Sequence, residues 1–168
     1  MSQFKAKPTE YHGTVFRSKS EAIYAKALHN LSLDYVYEPV WACDALDGEW
    51  TPDFSVMLSP LDAWLFTVFP KDNMWTEAII ELKPSGVTDT YREQTVDYLS
   101  RLVRQSDDGH TPVLGVLSFC NAYTGSTEQQ CFARGNRFKN TNKELSVEAG
   151  KRWRAAIIEA KDYRFDLA

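Results

Sequence analysis

The chain has 168 residues, 43% hydrophobic, 13% aromatic and 25% charged, with a formal net charge of -4. That length suits one domain able to bury a core without disulfide or metal staples, and the composition excludes a disordered chain and a Gly/Pro-rich fibre. The acidic balance argues against a general nucleic-acid coating protein but leaves room for a site-specific nucleic-acid enzyme, because charge distribution counts for more than the sum.

In chain order, Met1 to Lys5 lack the apolar run of a signal peptide. The residues up to Phe16 read as an arm or irregular strand. Ser18 is placed to cap a helix over Lys19 to Leu31, in which Ile23, Ala27, Leu28 and Leu31 form an apolar stripe. Leu33 to Ala42 reads as a strand, with Pro39 marking an edge or a bulge. A turn at Asp47-Gly48 precedes a second strand over Glu49 to Leu58. In Ser59 to Met74 the alternation of Trp64, Phe66 and Val68 with Leu65, Thr67 and Phe69 suggests a further strand or hairpin extension.

Trp75 to Lys83 is the next strand, and Asp89 to Gln105 a helix whose Thr90 and Glu93 are spaced for a capping box. Pro112 to Phe119 suits a buried strand. Ala122 to Asn142 is polar and loop-like, and Glu144 to Lys161 predicts a last helix with Trp153, Ile157 and Ala160 on one face. The order α-β-β-β-α-β-α predicts an α/β fold with one mixed central sheet flanked by helices.

Cys43, Cys120 and Cys131 are odd in number and far apart, so neither a disulfide scaffold nor a structural zinc site is expected. Gly109 to Thr127 carries no acid, Lys or Arg, but its Gly, Pro, Asn, Ser and Thr reject it as a membrane span. The expectation is a soluble cytoplasmic protein with no membrane partner. His12, His29 and His110 lack metal-ligand spacing, and neither a phosphate-binding Gly-rich loop nor a G-x-S-x-G elbow occurs.

The residues that suggest chemistry are Thr51-Pro52-Asp53-Phe54 and Ile79-Ile80-Glu81-Leu82-Lys83. Residues two apart in a strand share a face, so Glu81 and Lys83 project together. If the two strands are neighbours, Asp53 joins them. Two close carboxylates make a hard-oxygen site suited to Mg²⁺, and an adjacent ammonium can orient or help deprotonate a water, as in metal-assisted phosphodiester hydrolysis. A solvated Glu-x-Lys face is the bland alternative for the tripeptide alone.

In combination, Phe16-Arg17-Ser18-Lys19-Ser20-Glu21-Ala22, Tyr37-Glu38-Pro39, Pro52-Asp53-Phe54 and Glu81-Leu82-Lys83 resemble, in that order, the PD-(D/E)xK nuclease superfamily with its restriction-endonuclease-like fold. The layout is similar to that of small phage and bacterial members, over roughly Phe16 to Phe119. The resemblance implies an α-β-β-β-α-β core and a catalytic set of Glu21, Asp53, Glu81 and Lys83. Asp53 and Glu81 would ligate the metal, with the Leu82 carbonyl and Glu21 as further ligands and Lys83 near the attacking water. It also implies Mg²⁺ as cofactor, with Mn²⁺ able to substitute. Gln94 and Tyr98, four apart on a helix, match an auxiliary Gln-x-x-x-Tyr motif of exonuclease-type branches. Glu21 also fits a capping box with Ser18.

Charge is uneven. No Lys or Arg lies between Lys26 and Lys71, where seven acids do, while Gln129 to Lys143 holds Arg134, Arg137, Lys139 and Lys143 without an acid. With Phe132 and Phe138 interleaved, that stretch reads as a basic loop for a nucleic-acid backbone, or as plain solvated surface. Arg17 and Lys19 add a second positive patch. The expected function is a Mg²⁺-dependent DNA endonuclease of phage or mobile-element type, acting in the host cytoplasm if phage-encoded, as a homodimer or with a protein partner. The alternatives are the catalytic subunit of a heteromeric transposase and a non-enzymatic module binding a protein or nucleic acid.

Overall fold

Helix initiation follows the cap that the sequence supplies. In the computed structural model, Ser18 is extended and its hydroxyl accepts from the Glu21 amide, opening helix α1 over Lys19–Asn30. The structure describes residues 6–59, 62–66, 75–83, 88–109, 113–121, 126–133, 136–141 and 147–167; at 105–109, 120–121, 126–133, 136–141 and 167 it describes the backbone only. Strands β1 (Thr9–Tyr11) and β2 (Thr14–Phe16) precede α1 as a hairpin. Strand β3 (Tyr35–Tyr37), helix α2 (Val40–Ala45) and strand β4 (Phe54–Met57) follow, then a 3-10 turn at Ala63–Leu65 and strand β5 (Glu77–Lys83). Helix α3 (Asp89–Gly109), strands β6 (Val113–Asn121), β7 (Ser126–Ala133) and β8 (Asn136–Thr141), helix α4 (Val147–Asp162) and strand β9 (Asp166–Leu167) complete the described elements.

The architecture is mixed α/β. A central sheet runs β3-β4-β5-β6-β7-β8, and a small sheet runs β2-β1-β9. In the central sheet β5 and β6 are parallel and are joined through α3, while the other neighbours are antiparallel. Alternation along β5 divides the core. Ala78 and Ile80 pack with Phe54, Tyr24 and Leu28 of the α1 side and with Trp153 and Ile157 of α4. Ile79 packs with Leu99, Leu102 and Val103 of α3 and with Leu117 of β6. Trp153 anchors the α1–α4 side: it is fully buried, its indole N–H donates to the Leu65 carbonyl at 2.6 Å, and its ring lies 5.5 Å from that of Tyr24.

Several expected elements take another form. The strand expected over Leu33 to Ala42 stops at Tyr37, and Pro39 stands at the head of α2 instead of at a sheet edge. A proline lacks the N–H that a ladder needs, but the first turn of a helix does not use that donor. For the same reason the strand expected from Glu49 begins only after Pro52, at Phe54. The apolar run around Trp64 makes a 3-10 turn at Ala63–Leu65 with Leu65 and Phe66 buried, not a strand there; residues 67–74 lie outside the description. The segment read as a basic loop carries the β7–β8 hairpin, in which Gln130 pairs with Lys139 and Phe132 with Arg137. A hairpin at the end of a sheet can keep polar residues in its strands, since water is available to it. Among the described residues no helix is long and apolar enough to cross a membrane.

Candidate functional site

Asp53 sits one residue before β4, where the β4–β5 ladder closes with Phe54 opposite Ile80. Its carboxylate takes over from the strand: Oδ2 accepts from the Leu82 amide at 2.7 Å. The backbone carbonyl of Asp53 accepts from the Glu38 amide at 2.9 Å, tying the site to the segment after β3. Glu81 projects from β5 on the same face as Lys83. Both carboxylates are buried, Asp53 at 3% exposure and Glu81 at 4%. Lys83 donates to Glu81 Oε1, and its ammonium stands 4.6 Å from the centre of the Tyr91 ring, on the first turn of α3. Glu81 Oε2 is buried without a hydrogen-bond partner.

Burial is the main influence on these acids. It pushes Asp53 above the ordinary carboxylate range despite the Leu82 amide, while Glu21 adds to the rise and Arg17 and Lys83 oppose it. Burial raises Glu81 as well, Asp53 raises it further, and Lys83 only partly offsets the two. For Lys83, burial works downward, but the Glu81 carboxylate more than compensates, so the net shift is upward and the group stays an ammonium at neutral pH.

The outer wall is built on Arg17. Its Nη2 donates to Asp53 Oδ1 at 2.5 Å, and its Nε lies 3.0 Å from Glu38 Oε1 and 3.8 Å from Glu21 Oε2. Glu21 faces the α1 cap: Oε1 accepts from the Ser18 hydroxyl at 3.0 Å, and Oε2 accepts from the Arg17 amide at 3.1 Å and from the Tyr37 hydroxyl at 2.6 Å. Glu21 thus takes the capping role, and Arg17 links it to Asp53. Tyr37 is held protonated by burial and by its bond to Glu21.

The expected residues thus divide. Glu21, Asp53, Glu81 and Lys83 converge, with Leu82 between the last two in β5. Arg17, expected on nucleic acid, is committed to carboxylates, while Lys19 is exposed at the start of α1. Gln94 is exposed, and Tyr98 stacks on Trp50 at 5.5 Å between ring centres in the α3-side core. Arg137 and Lys139 lie two apart in β8, hence on one face; Arg134 and Lys143 lie outside the described residues. Sequence reasoning missed Tyr91 and Tyr37. The signal for Tyr37 was its place in Tyr37-Glu38-Pro39, and for Tyr91 the short link from Lys83 to α3.

Among the described residues no three or more His, Cys, Asp or Glu side chains gather into a ready-made metal cage. A hard divalent ion nevertheless fits what is present. Mg²⁺ commonly uses only one or two protein carboxylates, and a buried carboxylate oxygen without a partner is costly unless a cation meets it. Asp53 and Glu81 could hold such an ion. Comparisons with protein-family models, curated proteins and solved structures return no match to this chain.

Proposed function

We propose that the protein is a divalent-metal-dependent DNA endonuclease of the PD-(D/E)xK superfamily, phage or mobile-element encoded, with a restriction-endonuclease-like core. The observation that carries the reading is the convergence of buried Asp53 and Glu81 with Lys83 at the adjoining ends of β4 and β5, one carboxylate oxygen lacking a partner. The order α1-β3-β4-β5-α3-β6, with α2 inserted between β3 and β4 and with β5 and β6 parallel, supports the same fold family.

Asp53 and Glu81 would hold Mg²⁺, or Mn²⁺ in its place, with the Leu82 carbonyl as a further candidate. Bound there, the ion supplies Lewis-acid polarisation of a phosphoryl oxygen and a more acidic water. Lys83, an ammonium, donates to the attacking water or to the phosphate and stabilises charge as it develops. Its pairing with Glu81 and its contact with the Tyr91 ring fix that donor in place. Glu21 acts one step back, fixing the backbone of Arg17 and the Tyr37 hydroxyl behind Asp53.

A protein partner or second copy, as in a heteromeric transposase, would suit the cutting of both strands, because one site makes one nick at a time. The test is cleavage of linear, supercoiled, single-stranded and branched DNA with Mg²⁺ or Mn²⁺. Asp53→Asn and Lys83→Ala should each slow cleavage by roughly 100-fold or more, as loss of a key electrostatic contact does, while both stay folded. A wild type that cleaves none of these substrates, or an Asp53→Asn variant as active as wild type, overturns the reading.

A further inference from the structure

Two cations meet the buried carboxylates, and only one of them is placed to leave. Asp53 Oδ2 is held by a backbone amide, and Oδ1 is held by Arg17 Nη2 at 2.5 Å. On Glu81, Oε1 is taken by Lys83 and Oε2 has no partner. A divalent ion shared by the two carboxylates would draw on Glu81, whose Oε2 has no partner, and on the Asp53 carboxylate, whose Oδ1 Arg17 occupies. An arginine in a protein does not lose its proton, and like charges a few ångströms apart repel strongly where water is scarce. The guanidinium can therefore yield only by moving.

We propose that Arg17 is an exchangeable counter-cation, neutralising Asp53 in the metal-free protein and surrendering Oδ1 when a divalent ion binds. This rests on the metal-dependent reading above. The two cations differ in freedom: the Arg17 side chain is 57% exposed, whereas that of Lys83 is 10% exposed. Arg17 also has a second acceptor farther out, since its Nε lies 3.0 Å from Glu38 Oε1 and the Glu38 side chain is itself 39% exposed. Leaving Asp53 does not strand the guanidinium, because Glu38 keeps hold of it. The exchange lowers the affinity for metal by the cost of parting Arg17 from Asp53, and it keeps the empty carboxylate from standing uncompensated.

Calorimetric titration of Mn²⁺ alone into the metal-free full chain, at fixed pH and salt, tests this. Arg17→Gln should bind Mn²⁺ about tenfold more tightly than wild type, equivalent to ~1.4 kcal/mol. Asp53→Asn should bind far more weakly than either. Equal affinities in wild type and Arg17→Gln, or weaker binding in the variant, overturn the exchange and leave the metal-dependent reading standing. Absence of Mn²⁺ binding in both overturns that reading, and the exchange with it. If Arg17→Gln does not fold, the wild type decides: the Arg17 Nη–H resonances should shift on saturation with diamagnetic Mg²⁺, and resonances that stay where they were overturn the exchange.

Discussion

At the scale of single residues, the site stores an electrostatic conflict whose sign can be worked out. The native pKa of Asp53 is raised to about 6 and that of Glu81 to about 8, chiefly by burial, against about 4 for unfolded carboxyls. Between those values the native state binds protons that the unfolded chain has released, so unfolding free energy falls as pH rises. The contribution of these acids is complete below about pH 4 and is lost as pH climbs through the native values. Without metal, and in a chelator, wild type should lose melting temperature from pH 4.5 to 8. A double variant, Asp53→Asn with Glu81→Gln, should lose distinctly less. Parallel curves for the two proteins would show that these carboxyls are not strained. Glu81 and Lys83 were legible as a pair because strand periodicity places side chains without any knowledge of the fold, whereas bringing Asp53 to them required that the two strands be neighbours. Arg17 was legible only as a positive charge, since its engagement with Asp53 spans 36 positions of sequence and depends on how α1 docks on the sheet.

At the scale of elements, the α1–α4 layer depends on Trp153 more than on any neighbour of similar size. The indole combines full burial, a ring contact with Tyr24, an edge contact with Phe66 and a hydrogen bond to the Leu65 carbonyl. Trp153→Ala should cost about 3–5 kcal/mol, read in urea as a lower midpoint with unchanged slope. Trp153→Phe keeps most of the apolar contact but strands the Leu65 carbonyl, for about 1–3 kcal/mol. A Trp153→Ala loss below ~1 kcal/mol would remove α4 from the stable core. The long helices were the readable ones, because caps and apolar stripes are local: Ser18 caps α1, and Trp153, Ile157 and Ala160 of α4 are buried as their spacing requires, while the six-residue α2 was read as strand. Strand limits were less readable. Pro39 and Pro52 shorten two of them, and β7 and β8 show too little apolar alternation to stand out from a loop.

At the scale of the whole molecule, the sequence gathers acids between Lys26 and Lys71, the stretch that carries Asp53, and bases between Gln129 and Lys143, the stretch that carries most of the β7–β8 hairpin. If Arg134, Arg137 and Lys139 neutralise phosphates, replacing all three with Ala should weaken DNA binding. It should also flatten the dependence of log K on log salt by roughly 0.9 per lost contact. Fluorescence anisotropy without divalent ions reads both quantities, and unchanged affinity with unchanged slope would take the hairpin out of the interface. The pairing of distant strands was the least legible feature. Nothing local in Asp166-Leu167 announces that β9 lies against β1, with Glu10 opposite Asp166.

That last pairing bears on how the protein is made. Strand β1 is synthesised well before its β9 partner. About 150 residues separate them, so at ~5–20 residues per second the β9-facing edge of β1 stays open on the ribosome for roughly 8–30 s. The nascent chain can fold α1 and the central strands in that interval, but the small sheet cannot close until β9 has been synthesised. An unpaired strand edge invites pairing between chains, which makes the spacing of ribosomes along the message a determinant of the yield of correctly folded protein.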